Sequence, residues 1–101
     1  MFDMKNLSKL KVLDENSPKA MKAFRDFNNA TFADGALSGK MKQLIAVAVA
    51  LTTQCPYCIE LHIKDARKAG ATDAELTEAA LVAAAIRAGG AITHSSHLFE
   101  A

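Results

Sequence analysis

The sequence predicts an all-α protein, a compact multi-helix bundle forming one domain over residues 1–101. Three observations predict it. Hydrophobic residues make up 50% of the chain but aromatic residues only 6%, and Trp is absent. The apolar content is therefore mostly Ala, Leu, Val, Ile and Met, a mix that favours close helix packing over a bulky sheet core. Helix-start signals also recur along the chain between short loops, with no internal repeat and no linker. Finally, no segment shows the polar–apolar alternation of a half-buried strand.

Val12 to Ser17 reads as a lead-in loop. Ser17 and Pro18 mark a helix start: a hydroxyl cap, then a residue whose missing N–H does no harm at the first helical position. Ala20, Phe24, Phe27 and Thr31 follow at helical spacing, so 18–32 is an amphipathic helix, ended by Ala33-Asp34-Gly35. Ser38 is placed to cap a second helix from Gly39 to Thr53. Its segment Leu44 to Leu51 is apolar on all sides. The β-branched residues there allow a buried strand, but three alanines and the lack of internal turn residues favour helix. A helix apolar on every face must be buried on every face, which a chain of this size achieves by assembling with copies of itself.

Cys55 and Pro56 repeat the cap-then-proline pattern and open a third helix to about Lys68, closed by Gly70. Thr72 and Glu75 have the spacing of a capping box, in which each side chain bonds the other's backbone N–H. They open a fourth helix to about Ala88, where Gly89-Gly90 breaks or kinks the chain. A last helix is expected from Ala91 to about Phe99.

Net charge is +1, from 12 basic and 11 acidic residues. That balance offers no electrostatic grip on nucleic acid or an acidic membrane surface. Met1 to Lys11 is too polar for a signal peptide. The apolar runs Leu44–Leu51 and Ala79–Ile86 are too short to cross a bilayer. A cytoplasmic protein is expected, with neither nucleic acid nor membrane as partner.

Two cysteines are too few for a disulfide framework, and their C-x-x-C spacing points to redox chemistry or metal. Cys55, Cys58 and His62 share one helix face within about 60°. Both sulfurs lie near the unpaired N–H groups of a helix start, whose positive end stabilises a thiolate. His62, one turn below Cys58, is placed to take its proton or to orient a water that does. The hydroxyl of Tyr57 is close enough in sequence to join this network. One thiolate would attack a peroxide oxygen or a substrate disulfide, the other cysteine would resolve the product, and an external dithiol or protein reductant would restore the pair. Two other readings compete: an accidental pair of buried thiols, and a structural zinc site. Zinc would need four ligands, and beyond Cys55, Cys58 and His62 only His94 or His97 from a distant helix is on offer. No metal and no bound cofactor are expected.

The string Lys42-Gln43-Leu44-Ile45-Ala46-Val47-Ala48-Val49, continued by Thr53-Gln54-Cys55-Pro56-Tyr57-Cys58-Ile59-Glu60-Leu61-His62, resembles the alkylhydroperoxidase D-like branch of the carboxymuconolactone decarboxylase family. Ala69 to Leu76 is similar to that family's loop into its next helix. The resemblance covers roughly residues 18 to 99. It implies an all-helical protein assembled as homotrimers or homohexamers. It also implies a relay in which Cys58 attacks peroxide, Cys55 resolves, and His62 works with a glutamate on the preceding helix. Helix-cap reasoning alone would allow Cys55 as the nucleophile instead.

This chain departs from the family pattern at one point. Twelve residues before Cys55, where the family has Glu, it has Gln43, which can hold a hydrogen bond but cannot take a proton as a carboxylate does. Either water or His94 replaces the carboxylate, or peroxidase activity is weak and the protein serves mainly as a thiol–disulfide partner; the alternative function is that of a non-catalytic or weakly active oligomeric binding or scaffold protein. His94 and His97 have a plainer reading as surface or subunit-contact residues. Lactone decarboxylation, the wider family's other chemistry, is disfavoured by the cysteine pair because it is not thiol chemistry.

Overall fold

Residues 2–99 are described by the computed structural model, and among them there are five α-helices, two 3-10 helices and no strand. The helices are α1 (Lys11–Asn16), α2 (Pro18–Phe32), α3 (Gly39–Thr53), α4 (Pro56–Lys68) and α5 (Asp73–His94), with 3-10 helices at Met4–Leu10 and Ser95–Leu98. The all-α expectation holds. The chain forms two compact units, Met1–Gly39 and Lys40–Ala101.

In the first unit, the segment expected to be a lead-in loop is helical instead. Asp3 caps the first 3-10 helix by accepting the Lys5 N–H at 2.9 Å, and the chain continues directly into α1. The sequence offers no proline beside this cap, unlike the starts at Ser17 and Cys55. α1 packs on α2, and Arg25 donates to both oxygens of Asp14, one of the bonds being 3.0 Å. Arg25 thereby holds the Asp14 carboxyl below its usual range. Ser17 stands at the N-cap of α2, but its hydroxyl makes no cap bond. Asp34 accepts the Gly39 N–H at 2.6 Å where α3 begins.

The second unit carries the core. Leu44 and Val47 of α3 are buried with Ala66 of α4 and with Ala71, and Leu51, Leu76 and Ala79 pack around them. The small side chains of Ala66 and Ala71 let backbones approach closely, the kind of packing an Ala-rich composition favours. α4 closes where expected. Ala69 is its C-cap, and Gly70 follows at φ +94°, a conformation that side chains with a Cβ resist. The capping box at α5 is complete: Glu75 N–H donates to Thr72 Oγ1 at 3.1 Å, and Thr72 N–H to Glu75 Oε1 at 2.9 Å.

α5 does not stop at Ala88. It runs through Gly89-Gly90 to His94, and the last 3-10 helix continues it. Glycine disfavours a helix interior by only about 1 kcal/mol per residue, which the flanking Ala-rich segments offset. Asp73–Leu98 is a continuous helical stretch long and apolar enough, by length and composition, to cross a membrane.

Two ties set the arrangement of α3 and α5. Lys40 pairs with Glu75 at 2.7 Å, and Arg87 Nη1 donates to the Thr52 carbonyl at 2.5 Å. The ties are twelve residues apart on each helix, so α3 and α5 run parallel in register over about 18 Å.

Candidate active site

The candidate site lies where α3 ends and α4 begins, and one residue belongs to both ends. Gln54, at φ +56°, is the only non-glycine residue of positive φ among the described residues. This left-handed residue reverses the chain so that the Cys55 N–H reaches back to the Ala50 carbonyl at 3.2 Å. That is the backbone closure of a Schellman motif, with Gln where glycine is usual. Cys55 then serves as N-cap of α4. Its carbonyl accepts the Ile59 N–H at 3.0 Å, and its sulfur accepts the Cys58 N–H at 3.3 Å.

The structure therefore brings the two cysteines together as the spacing predicts. Both are half-buried, with Sγ atoms 2.7 Å apart. Their environments are unequal. The hydrogen bond from Cys58 Sγ, and next the Cys58 N–H, hold the Cys55 thiol below the ordinary thiol range. The same sulfur–sulfur bond, with burial and then the charge on Cys55, pushes the Cys58 thiol up. The contacts into Cys55 Sγ thus favour a thiolate there over one on Cys58. This polarity is the one a helix N-cap imposes on its own side chain.

His62 lies one turn beyond Cys58 on α4, half-buried, and its Nδ1 is 2.8 Å from Oε1 of Gln43 on α3. An amide oxygen only accepts, so Nδ1 is the donor in this contact. Gln43 thus orients the imidazole as a glutamate would, without supplying a negative charge. Tyr57 is half-buried in the first turn of α4, between the cysteines in sequence. His94 is not drawn into this group. It is exposed near the end of α5, and its ring lies against that of His97, with centroids 5.5 Å apart. Among the described residues, no three His, Cys, Asp or Glu side chains converge as a metal site requires.

Sequence reasoning missed two residues at this site. Gln54 carries no glycine or asparagine signal for its left-handed turn. Arg87 is a lone cation in an apolar helix, 35 residues from the carbonyl it binds. Its isolation between Ile86 and Ala88 was the only available hint.

Residues 18–101 match the Carboxymuconolactone decarboxylase family. An uncharacterized protein in the cox locus of Paracoccus denitrificans is 55% identical over 73% of this chain and 67% of its own length. An uncharacterized protein of Cupriavidus necator is 37% identical over 66% of this chain, a match spanning 59% of that relative. Among solved structures, a protein of Methanobacterium thermoautotrophicum superposes with TM-score 0.79 at 40% identity, covering 85% of this chain and 97% of that one. A carboxymuconolactone decarboxylase family protein from Legionella pneumophila superposes with TM-score 0.79 at 33% identity, covering 91% of this chain and 82% of its own.

Proposed function

This chain belongs to the carboxymuconolactone decarboxylase family, and from that membership we propose that it is a thiol-dependent peroxidase or disulfide reductase of the alkylhydroperoxidase D-like kind. The observation that carries the reading is the pair of sulfurs 2.7 Å apart at the start of α4, with a histidine one turn further along the same helix and held by Gln43. No cofactor enters the cycle. With a peroxide, a thiolate attacks one oxygen, the O–O bond breaks, and an alcohol leaves after taking up a proton. The attacking sulfur becomes a sulfenic acid. The second thiol attacks that sulfur, water leaves, and the disulfide forms. With a disulfide substrate, the mixed disulfide is resolved in the same way and the substrate leaves reduced. A dithiol or protein reductant returns both electrons to the pair.

The family resemblance implies attack by Cys58, with His62 taking its proton. The hydrogen bonds favour Cys55 as the sulfur that ionises first. Single-turnover assays on Cys55→Ser and Cys58→Ser assign the roles, because only the variant that keeps the attacking sulfur consumes an equivalent of peroxide. Replacing both cysteines should abolish turnover. Undiminished turnover in the double variant would reject the reading.

A second reading is favoured by Gln43: a weakly active member retained as an oligomeric binding or scaffold protein. It predicts that the reduced wild-type protein consumes neither peroxide nor a small disulfide above the buffer rate. In either case we place the protein in the cytoplasm as a homotrimer or homohexamer.

A further inference from the structure

The turn that seats Cys55 is held from outside by α5. At the end of α3, the Ala50 carbonyl is taken by the Cys55 N–H and the Thr52 carbonyl by Arg87 Nη1 at 2.5 Å. Between them, Gln54 occupies φ +56°, which glycine adopts freely and glutamine does not. Such a conformation persists only where its surroundings over-determine it. Arg87 is exposed and contributes nothing to the buried core. A guanidinium bound to a neutral carbonyl at a helix C-terminus makes a charge-assisted bond and complements the helix dipole there.

We propose that Arg87 is a positioning residue for the dithiol: by holding the Thr52 carbonyl it fixes the α3–α4 turn, and so keeps Cys55 Sγ over the Cys58 amide. The proposal rests on the reading of the pair as a reactive dithiol, and its chain of contacts is short. Arg87 binds Thr52, two residues before the left-handed Gln54, and the next residue is the N-cap whose sulfur accepts the Cys58 N–H at 3.3 Å. Release of the carbonyl lets Gln54 relax to an unstrained conformation. Cys55 then swings away from the N–H and S–H donors that stabilise its thiolate. The thiols remain present but lose their alignment.

The test reads thiol chemistry rather than turnover. In reduced protein, the pH midpoint of Cys55 alkylation by iodoacetamide is followed by peptide mass spectrometry, together with the rate at which the pair closes to a disulfide under a fixed oxidant. Arg87→Ala should move the Cys55 midpoint up by about half a pH unit and slow closure severalfold, with helicity unchanged. Arg87→Lys should recover part of both. Gln54→Gly placed in the Arg87→Ala background should recover most of both, because glycine holds the turn unaided. An Arg87→Ala curve that overlays wild type overturns the proposal. So does recovery by Lys without recovery by Gln54→Gly, since the cation would then act by its charge alone. If Arg87→Ala does not fold, Arg87→Met, which keeps the apolar stem, and the double variant carry the same comparisons. Failure of the proposed function looks different: the wild-type pair would form no reversible disulfide and consume no oxidant, whatever Arg87 does to alkylation.

Discussion

At the scale of single residues, the site is governed by who donates to whom. Cys55 accepts from the Cys58 sulfur and amide, and the sulfur is the larger influence on its acidity. Cys58→Ala removes that donor while leaving the amide in place. The Cys55 alkylation midpoint should therefore rise toward the ordinary thiol value without reaching it, and an unmoved midpoint would show that the amide alone sets its acidity. Gln43 offers a second residue-scale test. It already makes the hydrogen bond that orients His62, at 2.8 Å. Gln43→Glu adds only the negative charge, which stabilises the imidazolium formed when His62 takes a thiol proton. General-base assistance is worth about a hundredfold or more when fully aligned. An increase of roughly tenfold in peroxide kcat is expected for the variant. No increase would mark Gln43 as an orienting group whose charge the reaction does not need.

At the scale of elements, the helix ends carry much of the local order. Thr72→Ala removes the cap of α5 and should cost about 1 kcal/mol in chemical denaturation. Glu75 completes the same box. Its carboxyl is held below the usual carboxylate range, first by Lys40 and then by the Thr72 N–H. A folded-state pKa depressed below the unfolded value contributes stability that is present above the unfolded pKa, near 4.5, and is lost as pH falls through the folded value. Wild type should therefore lose more stability on acidification from about pH 6 to about pH 3 than Glu75→Gln does. Equal losses would show that the carboxylate takes no part in the tie. Gly70 tests backbone freedom in isolation, because a Cβ added there would meet nothing within 4 Å. Gly70→Ala should still destabilise by about 1 kcal/mol, from its φ of +94° alone.

At the scale of the whole molecule, the single chain leaves apolar surface bare. Ile45 (45% exposed) and Val49 (53%) stand open on α3, Val82 (61%) and Ile86 (71%) on α5, and every residue of α5 beyond Ala83 is exposed. A depression of about 310 Å³ lined by Met41, Leu44, Ile45, Ala79 and Val82, among others, opens between the two helices. An exposed apolar surface of this kind marks an interaction site. We assign it to further copies of the same chain, as the proposed homotrimer or homohexamer requires. Sedimentation should then report an assembly in detergent-free buffer, and Val82→Glu should shift it toward monomer. A wild-type protein that is monomeric in that buffer, or that leaves the membrane fraction only with detergent, would refute the assignment. The second outcome would fit the long apolar stretch Asp73–Leu98 to a bilayer instead.

What was legible in the sequence was local. Ser17-Pro18, Cys55-Pro56 and Thr72 with Glu75 located three helix starts, the first through its proline alone and the others because a cap and its partners lie within one turn of each other. The Cys55, Cys58 and His62 grouping followed from helical periodicity for the same reason. Signals that depend on neighbours far along the chain were not legible. Gly89-Gly90 looks like a break, yet α5 passes through it, since a modest intrinsic penalty yields to the rest of the helix. His94 was a candidate for the dithiol, yet it lies against His97. Gln54 and Arg87 drew no attention, because a left-handed glutamine and a lone arginine acquire meaning only when α3 and α5 lie side by side. The sequence by itself determined the starts of α2, α4 and α5 and the shared helix face of Cys55, Cys58 and His62, since short-range hydrogen bonding and periodicity dictate them. Only the tertiary structure decided that Gln43 meets His62 and that Arg87 reaches the Thr52 carbonyl, because both depend on distances between groups that the linear order does not contain.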